Sequence, residues 1–163
     1  MAPSTHLVTL PGLILERGFW LYVLRAETLH GEFLYVGRTG DNSSPFATQP
    51  YQRMGQHLGH QRTVNMLRRY LEARDIRPEH CKALHMVSYG PIFPETIGKD
   101  MALHKPVRDI MAALEKALAE ALSEAGYNVF NTVRSRKPLD TERWGVVREA
   151  FAEYFPRLNT GAN

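Results

Sequence analysis

The chain has 163 residues, 44% hydrophobic and 23% charged, which fits one compact domain or a core with terminal extensions and requires no second domain. A formal charge of +3 permits a polyanionic partner without requiring one. The lone Cys81 excludes an intramolecular disulfide, no opening stretch reads as an export signal, and no apolar run approaches the roughly 20 residues that cross a bilayer, so a cytosolic, membrane-free setting is expected.

In chain order, Leu7-Val8-Thr9-Leu10 and Leu13-Ile14-Leu15 flank Pro11-Gly12, which reads as a turn. These segments are expected to edge or cover a sheet. Residues 19–24 and 33–38 are aromatic and branched, and the polar stretch between them ends in Gly31, so they read as an antiparallel hairpin. Bulky groups on both faces of each strand (Phe19, Leu21 and Val23 against Trp20, Tyr22 and Leu24) imply cover on both sides. Gly40-Asp41-Asn42-Ser43-Ser44-Pro45 has loop composition.

Helix is expected from about Tyr51, with a long Arg-rich segment near 61–74 that Pro78 ends. Residues 83–89 read as a third strand, followed by a loop carrying Gly90, Pro91 and Pro94. A long helix follows: Pro106 suits a first turn, Val107, Ile110, Met111, Leu114, Leu118 and Leu122 recur at helical spacing, and Gly126 stands where a C-terminal cap belongs. A last helix is expected from Thr141 to about Phe155.

Several chemistries fit poorly. His57-Leu58-Gly59-His60, His80-Cys81 and His85 lack the paired cysteines of a structural zinc site. Thr39-Gly40 has neither the glycine spacing nor the lysine of a phosphate-binding loop. The arginine runs read first as solvated helix faces.

Two short runs carry more. Leu21-Tyr22 and Tyr35-Val36-Gly37 resemble the paired tyrosine motifs of the GIY-YIG nucleases, with Trp20 where that family has a packing glycine. Arg53 and His57, four apart and so on one helix face, are similar to the family's Arg and His or Tyr pair. Of Glu115, Glu120 and Glu124, helical phase favours Glu115, which borders the apolar stripe of Met111, Leu118 and Leu122. Asn131 and Asn128 both resemble the family's closing asparagine; Asn131, preceded by Tyr127 and Phe130, fits better, and Asn128 stays open.

The resemblance spans about residues 19–133 and implies an α+β fold: a small central three-stranded antiparallel sheet flanked by helices, a single domain 1–163 with 1–18 and 134–163 as extensions. It implies metal-dependent hydrolysis of phosphodiesters in DNA, leaving a 5′ phosphate and a 3′ hydroxyl. The catalytic residues would be Tyr22, Tyr35, Arg53, His57, Glu115 and Asn131. Tyr22 would take or relay the proton of water, its phenol made acidic by a neighbouring cation, with His57 as the alternative base. Arg53 would clamp the phosphate, Tyr35 would hydrogen-bond it or the nucleophile, and Glu115 would hold one Mg²⁺ or Mn²⁺. Arg38, Arg62, Arg68, Arg134, Arg136 and Lys137 are the expected nucleic-acid contacts. A module of the same fold that binds without cutting, and an RNA endonuclease in a defence or toxin setting, are the alternatives. Cutting both strands would need a dimer or two successive nicks.

Overall fold

The computed structural model describes residues 2–41, 47–96 and 100–160. Three antiparallel strands, β1 (Gly18–Thr28), β2 (Gly31–Arg38) and β3 (Ala83–Pro94), form one sheet in the order β2-β1-β3. Helices α1 (Pro50–Leu58), α2 (Met66–Glu72), α3 (Met101–Glu124) and α4 (Thr141–Ala152) flank it, giving the expected α+β architecture. No helix among the described residues is long and apolar enough to cross a membrane.

β1 is bulky on both faces because it is the middle strand and both faces are covered. Phe19, Leu21 and Val23 pack with Met111, Leu114, Leu118 and Leu122 of α3 and with Phe151 of α4. Tyr22, Leu24 and Ala26 pack on the other side with Leu67 and Leu71 of α2. The pairing with β3 shifts register between Phe19 and Leu21, and Trp20 packs on Gly90, where a Cβ would lie 2.8 Å from the indole.

That irregularity explains why the third strand outruns its expected end. Gly90, Pro91 and Pro94 belong to β3, not to a loop, and pairing resumes at Phe19–Phe93 and Gly18–Pro94. Proline lacks a ladder donor, and β3 is a sheet edge where that loss is tolerated.

Helical residues 51–74 are interrupted. The chain turns between Gly59 and Asn65, where the Asn65 side chain donates to the Gly59 carbonyl at 3.1 Å, so the Arg-rich stretch yields only the seven-residue α2. α3 starts earlier than Pro106 suggests. Asp100 caps it by accepting from the Ala102 amide at 2.8 Å, and Pro106 falls inside the helix. Its far end is as expected: Gly126 takes a φ of +88°, and Tyr127 and Gly126 donate back to Leu122 and Ser123.

The two extensions differ. Residues 134–160 bring Val147, Phe151, Phe155 and Leu158 into the main core, so this part does not merely trail from it. Residues 2–17 pair with no strand; a single 3-10 turn, Gly12–Leu15, touches α1. Residues 42–45 of the expected loop lie outside the described residues.

Candidate active site

The site is built where β2 passes its neighbours. Tyr22 and Gly37 are cross-strand partners, and because Gly37 has no side chain the Tyr22 phenol occupies that space; a Cβ on Gly37 would come within 2.4 Å of the Tyr22 oxygen. The same hydroxyl lies 2.8 Å from His57 Nε2, and the Tyr35 ring stands 4.6 Å from the imidazole. α1 delivers Arg53 one turn before His57, with its guanidinium bonded to Asp41 at 2.9 Å and to Gln56 at 3.1 Å. From the other face of the sheet, α3 brings Glu115 to an ion pair with Arg38, which ends β2.

Tyr22, Tyr35 and His57 are in direct contact and Arg53 is bonded beside them, whereas Glu115 touches Arg38 and reaches the two phenols through its charge. Their charges interact: Arg53 and Glu115 both act on Tyr22 and on Tyr35.

Asn131 holds the frame. Residues 128–131 run along the outer edge of β2, where Leu34 donates to the Asn128 carbonyl and Phe130 donates to the Leu34 carbonyl, both at 2.8 Å. One step further the Asn131 side chain replaces backbone, accepting from the Val36 amide at 3.0 Å and donating to the Val36 carbonyl at 2.7 Å. Asn128 instead reaches the Glu32 carbonyl at 3.3 Å, well before the tyrosines. Of the two asparagines, Asn131 is the one that braces the strand between Tyr35 and Gly37.

Burial governs the proton affinities. It raises the Tyr22 phenol to about 12, outweighing the lowering by the Arg53 charge. The expectation of a phenol acidified by its neighbouring cation is thus reversed. Tyr35 is raised too, first by burial and then by the Tyr22 and Glu115 charges. His57 is pushed down to about 4 by burial and by Arg53, so its imidazole is neutral at pH 7. Glu115 is raised by burial despite Arg38 beside it.

Could these residues hold a divalent ion? Glu115 is a desolvated carboxylate whose second oxygen has no hydrogen-bond partner among the described residues, and the Asp41 charge acts on it. No group of three or more His, Cys, Asp or Glu suited to a metal occurs among the described residues. Mg²⁺ keeps several waters and takes one or two carboxylates plus substrate phosphate, and Glu115 is the one carboxylate among the residues expected to form the site. The guanidinium of Arg38 is the competing cation.

The basic residues divide. Arg62, Arg134 and Arg136 are exposed, and Arg62 borders a shallow cleft with Asn65 and Arg69. Lys137 is exposed but paired with Asp109 at 3.0 Å. Arg68 is buried and spans the break between α1 and α2, donating to the Leu58 carbonyl at 2.8 Å and to Glu79 at 2.7 Å. Its guanidinium is thus engaged within the fold, as a brace between the two helices and Glu79. Arg38 likewise faces Glu115.

Asp41 and Gln56, which hold Arg53, carried no signal in the sequence, since one sits in a polar loop and the other on a polar helix face. Compared with known proteins, the chain matches no family model, no curated protein and no solved structure.

Proposed function

We propose that the chain is a metal-dependent endonuclease that hydrolyses phosphodiester bonds in DNA, similar to the GIY-YIG nucleases, and leaves a 5′ phosphate and a 3′ hydroxyl. The single observation that supports this reading is the cluster of Tyr22, Tyr35 and a neutral His57 beside Arg53, with the charge of Glu115 acting on both phenols. Hydrolysis needs a proton acceptor for water and positive charge for the phosphorane-like transition state.

Tyr22 suits a relay better than a base. Its phenol stays protonated, so as water adds to phosphorus the hydroxyl takes the water proton and passes its own to His57 Nε2, which is unprotonated at neutral pH. Arg53, kept at the site by Asp41 and Gln56, spreads its planar fork to the phosphate. Tyr35 donates a hydrogen bond to the phosphate or orients the water. Glu115 would hold one Mg²⁺ or Mn²⁺, which supplies charge neutralisation at the phosphate and the leaving 3′ oxygen. Arg38, once displaced from Glu115, is placed to meet a flanking phosphate, and Arg62, Arg134 and Arg136 are exposed for further contacts. A cytosolic setting accords with the single free thiol.

The test is nicking of supercoiled plasmid by the purified chain with and without Mg²⁺. Cleavage that needs the ion and is lost in Glu115→Gln and in Arg53→Ala, both folded, is the expected result; retained nicking in both variants would sink the assignment. Matched single-stranded DNA, duplex DNA and RNA substrates separate the DNA from the RNA enzyme. One observation favours a second reading, a binding module without catalysis: Glu115 and Arg53 are each already neutralised, by Arg38 and Asp41. Tight DNA binding with no cleavage at any Mg²⁺ or Mn²⁺ concentration would establish it.

A further inference from the structure

The sheet has one closed edge and one open edge. Residues 128–131 and the Asn131 side chain bond to β2, whereas β3 ends the sheet on the other side with no strand beside it among the described residues. Open edges are usually blunted by lysine, proline or inward charge. The first seven residues of β3, Ala83 to Tyr89, carry none of these; their histidine, His85, is bonded to Glu27 at 2.8 Å. Alongside the later part of the strand, which does carry Pro91 and Pro94, runs a groove of about 450 Å³ between β3 and α4, lined by Tyr89, Pro91, Ile92, Val146 and Val147 with Glu142 and Arg143 at its rim. Val146 lies 52% exposed there.

The same chain has a strand without a sheet. Thr5-His6-Leu7-Val8-Thr9-Leu10 is rich in strand-forming residues and stops at Pro11, yet residues 2–10 make no backbone hydrogen bond among the described residues. Leu7 is 89% and Val8 79% exposed. Alternation puts Val8 and Leu10 on one face and Leu7 on the other. The turn Gly12–Leu15 that follows touches α1, on the Tyr22 side of the sheet, while the groove lies on the α4 side.

We infer that two copies of this chain exchange these segments, residues 5–10 of each adding as a fourth strand to the open edge of β3 in its partner, with Val8 and Leu10 seated in the groove beside α4. Six residues span about 20 Å, the length of an ordinary strand, and edge addition supplies the main-chain bonds that both elements lack. A two-fold axis relates the two exchanges, so the assembly closes at a dimer. This inference does not depend on the proposed chemistry.

Sedimentation velocity of the full chain tests it. The expected result is a particle of twice the 18.6 kDa chain mass, reverting to monomer both in the double variant Leu7→Asp, Val8→Asp and in Val146→Glu. All three positions are exposed, so the variants are expected to keep the wild-type circular dichroism spectrum. A wild-type chain that stays monomeric at every concentration overturns the inference, as does a dimer that persists in both variants.

Discussion

The hydroxyl of Tyr22 lies where a side chain on Gly37 would begin: a Cβ there would sit 2.4 Å from both the phenol oxygen and the ring carbon that bears it. The two residues face each other across β1 and β2, and Tyr22 is buried in the middle of the sheet, so the ring cannot simply lean away. Gly37→Ala is expected to cost about 1–3 kcal/mol, the usual range for overpacking. It should also break the Tyr22–His57 bond and lower nicking by at least about tenfold, the scale of a misplaced catalytic group. Urea unfolding and plasmid nicking of the variant measure the two effects. Wild-type values for both would show that Tyr22 has room to move.

Gly55 is the opposite case. It lies in α1 between Arg53 and His57, and a Cβ there would meet nothing within 4 Å. Gly55→Ala should stabilise the fold by about 0.5–1 kcal/mol through helix propensity. Thermal melting is expected to move upward with nicking unchanged. A lowered melting temperature would mean that α1 needs a bend at this glycine.

Sequence and structure agree where a local pattern had one cause. The β1–β2 hairpin with both faces of β1 covered, the apolar stripe of α3 and the Gly126 stop each follow from side-chain pattern or backbone conformation, and each stands where expected. Helical phase likewise turned Glu115 inward. What the sequence hid depends on distant partners. Arg68 reads as one of several surface arginines, and only the break at Gly59 turns it into a brace. The length of β3 depends on a register shift at Trp20, seventy residues earlier. The electrostatics of Tyr22 are the clearest instance: a nearby arginine was foreseeable, but the degree of burial that outweighs it was not.

Asn131 makes both of its hydrogen bonds to one residue, Val36, at the edge of the strand that carries Tyr35 and Gly37. Asn131→Ala leaves that amide and carbonyl without their partner and should cost about 1–3 kcal/mol. Asn131→Asp keeps the acceptor but not the donor, so it should fall between wild type and alanine at neutral pH. Faster hydrogen exchange at the Val36 amide in the alanine variant, with the β1–β3 amides unaffected, would locate the loss at this edge. Uniform exchange across the sheet would place it elsewhere.

Arg38 and Glu115 are both largely buried, and each is the other's charge partner. Removing one side leaves an uncompensated buried charge, typically a loss of about 3–5 kcal/mol for a fully buried pair and less for this one. Arg38→Gln should therefore be destabilised, and Glu115, deprived of the cation that lowers its proton affinity, should become still harder to ionise. Mn²⁺ or Mg²⁺ is expected to recover part of the lost stability in Arg38→Gln and none in the double variant Arg38→Gln, Glu115→Gln. Thermal shifts with and without the ion read this directly. Equal shifts in the two variants would remove Glu115 as the ion's ligand.

His57 gives the fold a pH dependence of defined sign. In the folded chain its pKa is lowered to about 4 by burial and by Arg53, whereas the unfolded chain takes up a proton near the ordinary value of about 6.5. Between these values the unfolded state binds more protons, so stability rises with pH. The contribution is complete above about pH 6.5, declines as the pH falls towards 4 and amounts to at most roughly 3 kcal/mol. Carboxylates held low by their arginine partners, such as Glu95 and Asp140, lose their contributions only at more acid pH, and Glu115, raised by burial, acts with the opposite sign, so the histidine is read from the difference between the wild type and a variant that cannot titrate there. His57→Gln retains a polar group facing Tyr22 but cannot titrate. Urea unfolding at pH 7 and pH 5 should show a smaller drop in the variant than in the wild type, and parallel losses would mean that His57 is not held neutral in the folded protein.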